Sequence, residues 1–252
     1  MGLADDLILG LDPVALARRV GLEPDPWQAD LLRSRARQII MCCARQTGKS
    51  AMAALLALHE ALYRPPALVL MLSPSLRQSS ELFRRAKTFY MALGDDAPPA
   101  VRESALRLEL ANGSRIISLP GKETTIRGYS DVAMLVVDEA ARVPDELYMA
   151  VRPMLAVSGG RLILLSTPFG KRGFFFHEWM EGAGWERVRV TAHQCPRIDP
   201  AWLERERAAI GDWWFRQEYL CEFLESVDQV FSYEHVVGAL SGDVEPLFGD
   251  SS

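Results

Sequence analysis

The sequence has little of what a secreted, metal-built or membrane-embedded protein needs. Its four cysteines, Cys42, Cys43, Cys195 and Cys221, show no C-x-x-C spacing, and two of them sit inside an apolar run. Reduced core thiols of a cytosolic chain are expected, and a disulfide scaffold is not. His193 and Cys195 have no second ligand pair beside them to complete a metal site. No apolar run approaches the ~18 residues of a membrane span, and the N-terminus is acidic where a leader would be basic. Positive charge is not in excess either: the formal net charge is −5, so contact with DNA would need a local basic patch. Internal repeats and low-complexity segments are absent. Apolar residues make up 49% of the 252 and charged ones 24%, which suits one large α/β domain with an appendage.

The chain is organised around Ile39-Ile40-Met41-Cys42-Cys43-Ala44-Arg45-Gln46-Thr47-Gly48-Lys49-Ser50. A β-branched apolar run stops at a small loop, and an alanine-rich segment follows directly, so the order is strand, loop, helix. Such a loop points unpaired backbone N–H groups and the positive end of a helix dipole at one place, where phosphate is the natural ligand. Lys49 would charge-neutralise the β- and γ-phosphates, Ser50 would put its hydroxyl on Mg²⁺, and Gly48 would let the backbone come close. The full pattern is G-x-x-x-x-G-K-[ST], and Cys43 stands at its first position instead of glycine. On this stretch alone an ordinary strand-turn-helix connection stays open.

A second stretch narrows the choice. Val132 to Val137 is continuously apolar, as a strand buried on both faces requires, and it ends in Asp138-Glu139. Ligands of open α/β sheets bind at the C-terminal ends of strands. Asp138 would there hold the Mg²⁺ hydration shell and Glu139 would polarise the water that attacks the γ-phosphate. The plainer reading is a pair of acids placed by the dipole at a helix start. A third apolar strand, Arg161 to Leu165, ends in Ser166-Thr167-Pro168, hydroxyls that can touch the attacking water or the γ-phosphate; a strand-to-loop turn looks similar.

The remaining chain supplies the frame. Asp12, Pro13 and Gly21 delimit a helix over 12–21, and Asp25-Pro26-Trp27-Gln28 opens another. Gln28 is either the far member of a capping box or an amide for an adenine edge, with Trp27 as an apolar wall. Ala67 to Leu72 reads as a strand and 75–92 as a helix whose polar face carries Arg77, Arg84, Arg85 and Lys87, a basic stripe or simply a solvated face. Asn112-Gly113 between alternating leucines and isoleucines marks a hairpin. Gly121 to Ser130 is a polar loop holding Arg127, and Pro144 to Ala156 a helix. The tail gives a helix at 174–181, a strand at 186–191, a helix opening at Asp199-Pro200 and an aromatic helix from Trp213 to Leu224, whose rings suit core packing better than base stacking.

Cys43 through Ser50, Leu135 through Ala140 and Ser166-Thr167-Pro168, together with Arg127-Gly128 and Phe215-Arg216-Gln217-Glu218-Tyr219, resemble the large terminase subunit of tailed bacteriophages over about residues 22–231. Such terminases often lack the first glycine of the loop. The fold implied is a P-loop NTPase, with a mostly parallel central sheet flanked by helices, of the RecA-like type with an additional strand and a catalytic glutamate, plus a small C-terminal helical appendage. Residues 1–225 would form the ATPase domain, with a lid-like part at about 171–225, and 226–252 a linker or the start of a nuclease domain. The resemblance implies ATP and Mg²⁺ as ligands and Arg45 as a sensor or stabiliser of the γ-phosphate. It gives Gln46, Thr47, Gly48, Lys49 and Ser50 as the phosphate loop, and Ser166 to Pro168 as the coupling motif. It further implies a motor that drives viral double-stranded DNA into a capsid in the host cell cytoplasm. Its partners would be a portal protein and a small terminase subunit; it would work as a homo-oligomeric ring and be monomeric in isolation. Arg127 would act in trans on a neighbour's nucleotide, with Arg84, Arg85 and Arg102 as alternatives. Nuclease activity is not expected, because no acidic cluster of the needed kind is present. The rival readings are a helicase-like remodelling ATPase, disfavoured because only 84 residues follow Pro168, and a nucleotide-binding adaptor, disfavoured by the intact Glu139.

Overall fold

A computed structural model describes residues 2–121 and 128–225 and arranges them about one eight-stranded sheet. The strands are β1 (Gln38–Cys43), β2 (Leu68–Ser73), β3 (Ala100–Glu103), β4 (Arg107–Leu110), β5 (Arg115–Pro120), β6 (Val132–Asp138), β7 (Arg161–Ser166) and β8 (Glu186–Val190). Their order is β3-β4-β5-β2-β6-β7-β1-β8. From β5 to β8 every neighbouring pair is parallel, while β3, β4 and β5 form an antiparallel extension at one side. Strand β7 lies between β1 and β6, so the loop-bearing strand and the acidic strand are separated by one additional strand.

The apolar runs follow from helices covering both faces. On β1, Ile39, Met41 and Cys43 point into one core and Ile40 and Cys42 into the other, the period of two that a strand imposes. The first core is closed by α2 (Pro13–Arg19), α3 (Pro26–Arg33), α4 (Lys49–Tyr63) and α5 (Leu76–Leu93), with α1 (Leu3–Leu11) lying outside it against α2 and α4; the second by α6 (Asp145–Val151), α7 (Gly173–Met180), α8 (Pro200–Ile210) and α9 (Asp212–Leu220). All four cysteines are buried and unpaired. No helix among the described residues is long and apolar enough to cross a membrane.

Most expected elements are present, with instructive differences. Helix α6 gives way after Val151 to a 3-10 turn, Arg152–Leu155, because Pro153 has no N–H for an α-helical bond. Helix α9 ends at Leu220 rather than Leu224: Cys221 takes a left-handed conformation with φ 56°, and the N–H of Glu222 closes on the carbonyl of Arg216. Neither α1 nor β3 was expected. In the span 171–225, β8 pairs with β1 and is therefore part of the central sheet. The expectations for Arg127 and for 226–252 fall outside the described residues.

Candidate active site

The loop after β1 is shaped for an anion. Gln46 has φ 62° and Gly48 φ 91°, left-handed turns that aim successive N–H groups to one side at the start of α4. At Gly48 glycine is required twice over, by the positive φ and because a Cβ would stand 2.8 Å from Nε2 of Gln28. The loop is braced on all sides. Thr47 donates its hydroxyl to the carbonyl of Ala44 at 3.0 Å, and the Thr47 carbonyl accepts from Nε2 of Gln28 at 3.1 Å and from Nη2 of Arg197 at 3.1 Å. The other nitrogen of the Arg197 fork is bonded to Asp25 at 2.7 Å. Gln28 also accepts from the N–H of Asp25 at 3.0 Å and so forms the capping box. Both ends of its amide are thus engaged by backbone, which uses one of its two N–H donors and one of its two oxygen lone pairs.

The acids of β6 meet this loop across 88 residues of sequence. The Ser50 hydroxyl donates to the Asp138 carboxylate at 3.2–3.3 Å. Burial pushes Asp138 up to about 6, and the neighbouring Glu139 carboxylate pushes in the same direction. Glu139 follows with φ 50° and ψ 41°, a left-handed conformation rare for a residue with a Cβ. That turn directs its carboxylate back over the sheet, with Oε1 3.7 Å from Nζ of the buried Lys49. Ser166 ends β7 with a buried hydroxyl that has no hydrogen-bond partner, and Thr167 and Pro168 beside it are buried as well.

Two further residues complete the cluster, and neither was singled out as a site residue from sequence. The Arg142 guanidinium donates to Oε2 of Glu139 at 3.0 Å, to Oγ1 of Thr167 at 3.2 Å and to Oε1 of Glu218 at 3.3 Å. It lies 4.8 Å from the ring centroid of Phe169. Glu218, on α9, accepts from Nε of Arg45 at 2.6 Å with its other oxygen. Charges therefore alternate along Lys49, Glu139, Arg142, Glu218 and Arg45. Arg142 carries the i,i+3 spacing to Glu139 on a short turn, the one local signal available; Glu218 and Arg197 carry none, being 173 and 150 residues from their loop partners.

Several other expectations resolve here. On α5, Arg84 is bonded to Glu81 at 2.7 Å and Lys87 pairs with Glu103, as on a solvated face. Phe215 and Tyr219 of α9 stack at 5.2 Å within the second core and Phe223 packs against it, as expected of packing aromatics, whereas Trp214 is exposed and meets Trp213 edge-on instead of entering the core. His193 lies edge-on against Phe215.

The family model described as "Terminase large subunit, T4likevirus-type, N-terminal" matches residues 40–237 of the chain. The large terminase subunit of Thermus virus P23-45 is 27% identical over 248 residues, covering 84% of this chain and 51% of that protein. Among solved structures, the large terminase ATPase domain of Thermus phage P74-26 aligns with a TM-score of 0.74 at 24% identity, over 82% of this chain and 97% of that one. The large terminase of the thermophilic bacteriophage D6E in complex with ATP-γ-S aligns with a TM-score of 0.60 at 14% identity, over 83% of this chain and 52% of that one. The fold is shared with both. The chain spans about half the length of the first of these relatives.

Proposed function

This chain belongs to the family of large terminase subunits, and from that premise we propose that it hydrolyses ATP to drive viral double-stranded DNA into a capsid. Membership displaces the helicase-like alternative. The observation that carries the reading is the convergence of Lys49, Ser50, Asp138 and Glu139 at the C-terminal edge of the parallel strands, from two stretches 88 residues apart. A phosphate loop alone would bind; a carboxylate facing that loop can also activate water.

The residues divide the chemistry. Backbone N–H groups from Gln46 to Ser50 cradle the phosphates, and Lys49 neutralises their charge. The Ser50 hydroxyl and Asp138 carboxylate are hard oxygen donors 3.2 Å apart and fit Mg²⁺, which when bound would neutralise charge on the phosphate oxygens. Drawing Lys49 toward the phosphates frees Oε1 of Glu139 to take a proton from water. Arg45, now bonded to Glu218, is within the loop and can turn to the γ-phosphate. Ser166, Thr167 and Pro168 would pass on the loss of that phosphate, and the part of 171–225 that follows β8 would act as the lid, its Glu218 being bonded to Arg45 of the loop. Gln28 supports the loop from below, with the adenine edge as its second use. Arg127 of a neighbouring subunit would complete the site in a ring. Double-stranded DNA, a portal protein and a small terminase subunit in the host cell cytoplasm are the partners this reading requires.

The test is steady-state ATP hydrolysis by the chain and by Glu139→Ala. Turnover that disappears in the variant, while a fluorescent ATP analogue still binds, supports the assignment. No turnover in either, with the analogue bound, returns the chain to the adaptor class, and equal turnover in both removes Glu139 from the role given to it here.

A further inference from the structure

A glutamate that activates water must be aimed, and its three side-chain torsions carry rotamer freedom that something has to remove. The backbone turn at Glu139 sets only the starting direction. The second constraint is Arg142. Resting on the ATPase reading above, we propose that Arg142 is the positioning residue for Glu139: it anchors Oε2 and leaves Oε1 free to face the attacking water.

The geometry supports this in three ways. The two carboxylate oxygens are held differently, since Oε2 accepts a hydrogen bond from Arg142 at 3.0 Å whereas Oε1 has only the looser ion pair to Lys49 at 3.7 Å, which bound phosphates would draw away. The anchor is itself fixed, because its fork reaches Thr167 after β7 and Glu218 on α9 while its plane lies against Phe169. Finally, Arg142 has no bond to residues 46–50 in the hydrogen-bond network described, so its loss should leave the phosphate loop intact. An exposed i,i+3 ion pair would be worth little and would orient nothing. Here the partners come from three separate elements, and Thr167 and Glu218 are buried, 1% and 7% exposed. The arrangement also ties the aim of Glu139 to the coupling segment: a displacement of Thr167 would reach the carboxylate through one guanidinium.

The experiment compares the wild-type chain with Arg142→Ala, Arg142→Gln and Glu139→Ala, measuring kcat and KM for ATP, affinity for a fluorescent ATP analogue, and melting temperature. Arg142→Ala is expected to lower kcat about 30-fold with KM and analogue affinity changed by less than about threefold, the signature of lost orientation. Methylguanidinium added at non-denaturing concentration should recover part of that rate, about fivefold, in Arg142→Ala and none in Glu139→Ala. Arg142→Gln keeps a donor for Thr167 and supplies the same readings if the alanine variant does not fold. A kcat within about threefold of wild type in either variant overturns the proposal, as does a fall in kcat matched by lost analogue affinity with no rescue. Absence of Glu139-dependent turnover in the wild-type chain removes the ATPase reading and this assignment together, whereas Glu139-dependent turnover that survives loss of Arg142 removes only the assignment.

Discussion

Asp138 holds its carboxyl where water cannot help it. Because the folded chain keeps a proton on Asp138 up to about pH 6 and the unfolded chain releases it near 3.8, stability from this group is full below the lower value and is lost as pH rises toward the upper one. At pH 8 without Mg²⁺ the buried charge costs on the order of 3 kcal/mol. Asp138→Asn should therefore melt several degrees above wild type at pH 8, the gap narrowing toward pH 5, and excess Mg²⁺ should raise the wild type alone. Gly48 offers a second check. Gly48→Ala meets both the positive φ and Nε2 of Gln28, and should cost about 2 kcal/mol in urea unfolding; pairing it with Gln28→Ala should give less than the sum of the two losses. Lys49, Ser50, Asp138 and Glu139 were legible because each lies in a short run whose spacing carries its chemistry. Arg142, Glu218 and Arg197 were not, since their roles exist only once distant strands and helices meet.

Between elements, the tightest approach is at the start of β7. A Cβ on Gly160 would stand 2.1 Å from the carbonyl of Val132 and 2.7 Å from that of Ala133, backbone atoms that cannot yield without moving β6. Gly160→Ala is expected to lower the urea midpoint by an amount equivalent to about 1–3 kcal/mol, with the slope unchanged. The same sheet explains what sequence could reveal. Strands β1, β2, β6 and β7 are covered on both faces and read as apolar runs, and Asn112-Gly113 announced the β4–β5 hairpin. Strand β3 is exposed along its whole length, and α1 leaves Leu3, Leu7 and Leu11 in solvent, so neither carries a burial pattern to find. The early end of α9 depends on one left-handed cysteine, a conformation that residue type does not advertise.

For the molecule as a whole, the proposed ring would have each site completed by a neighbour's arginine. Turnover per chain should rise with protein concentration, and Arg127→Ala should flatten that rise. A mixture of Arg127→Ala and Glu139→Ala chains should then regain part of the rate that each lacks alone, measured as phosphate release at fixed total concentration. The sheet order, with β7 between the loop strand and the acidic strand, followed from the family resemblance rather than from any single strand's composition. The sealed thiols have a practical consequence. Burial pushes Cys43 up to about 12 and Cys42 in the same direction, and the other two cysteines are enclosed too. Maleimide should leave the folded chain unmodified by mass spectrometry and add four labels after unfolding. A dye attached through one engineered surface cysteine would then report from a single known point on the wild-type background, so that single-molecule distances could be followed through the ATP cycle without first stripping the native residues.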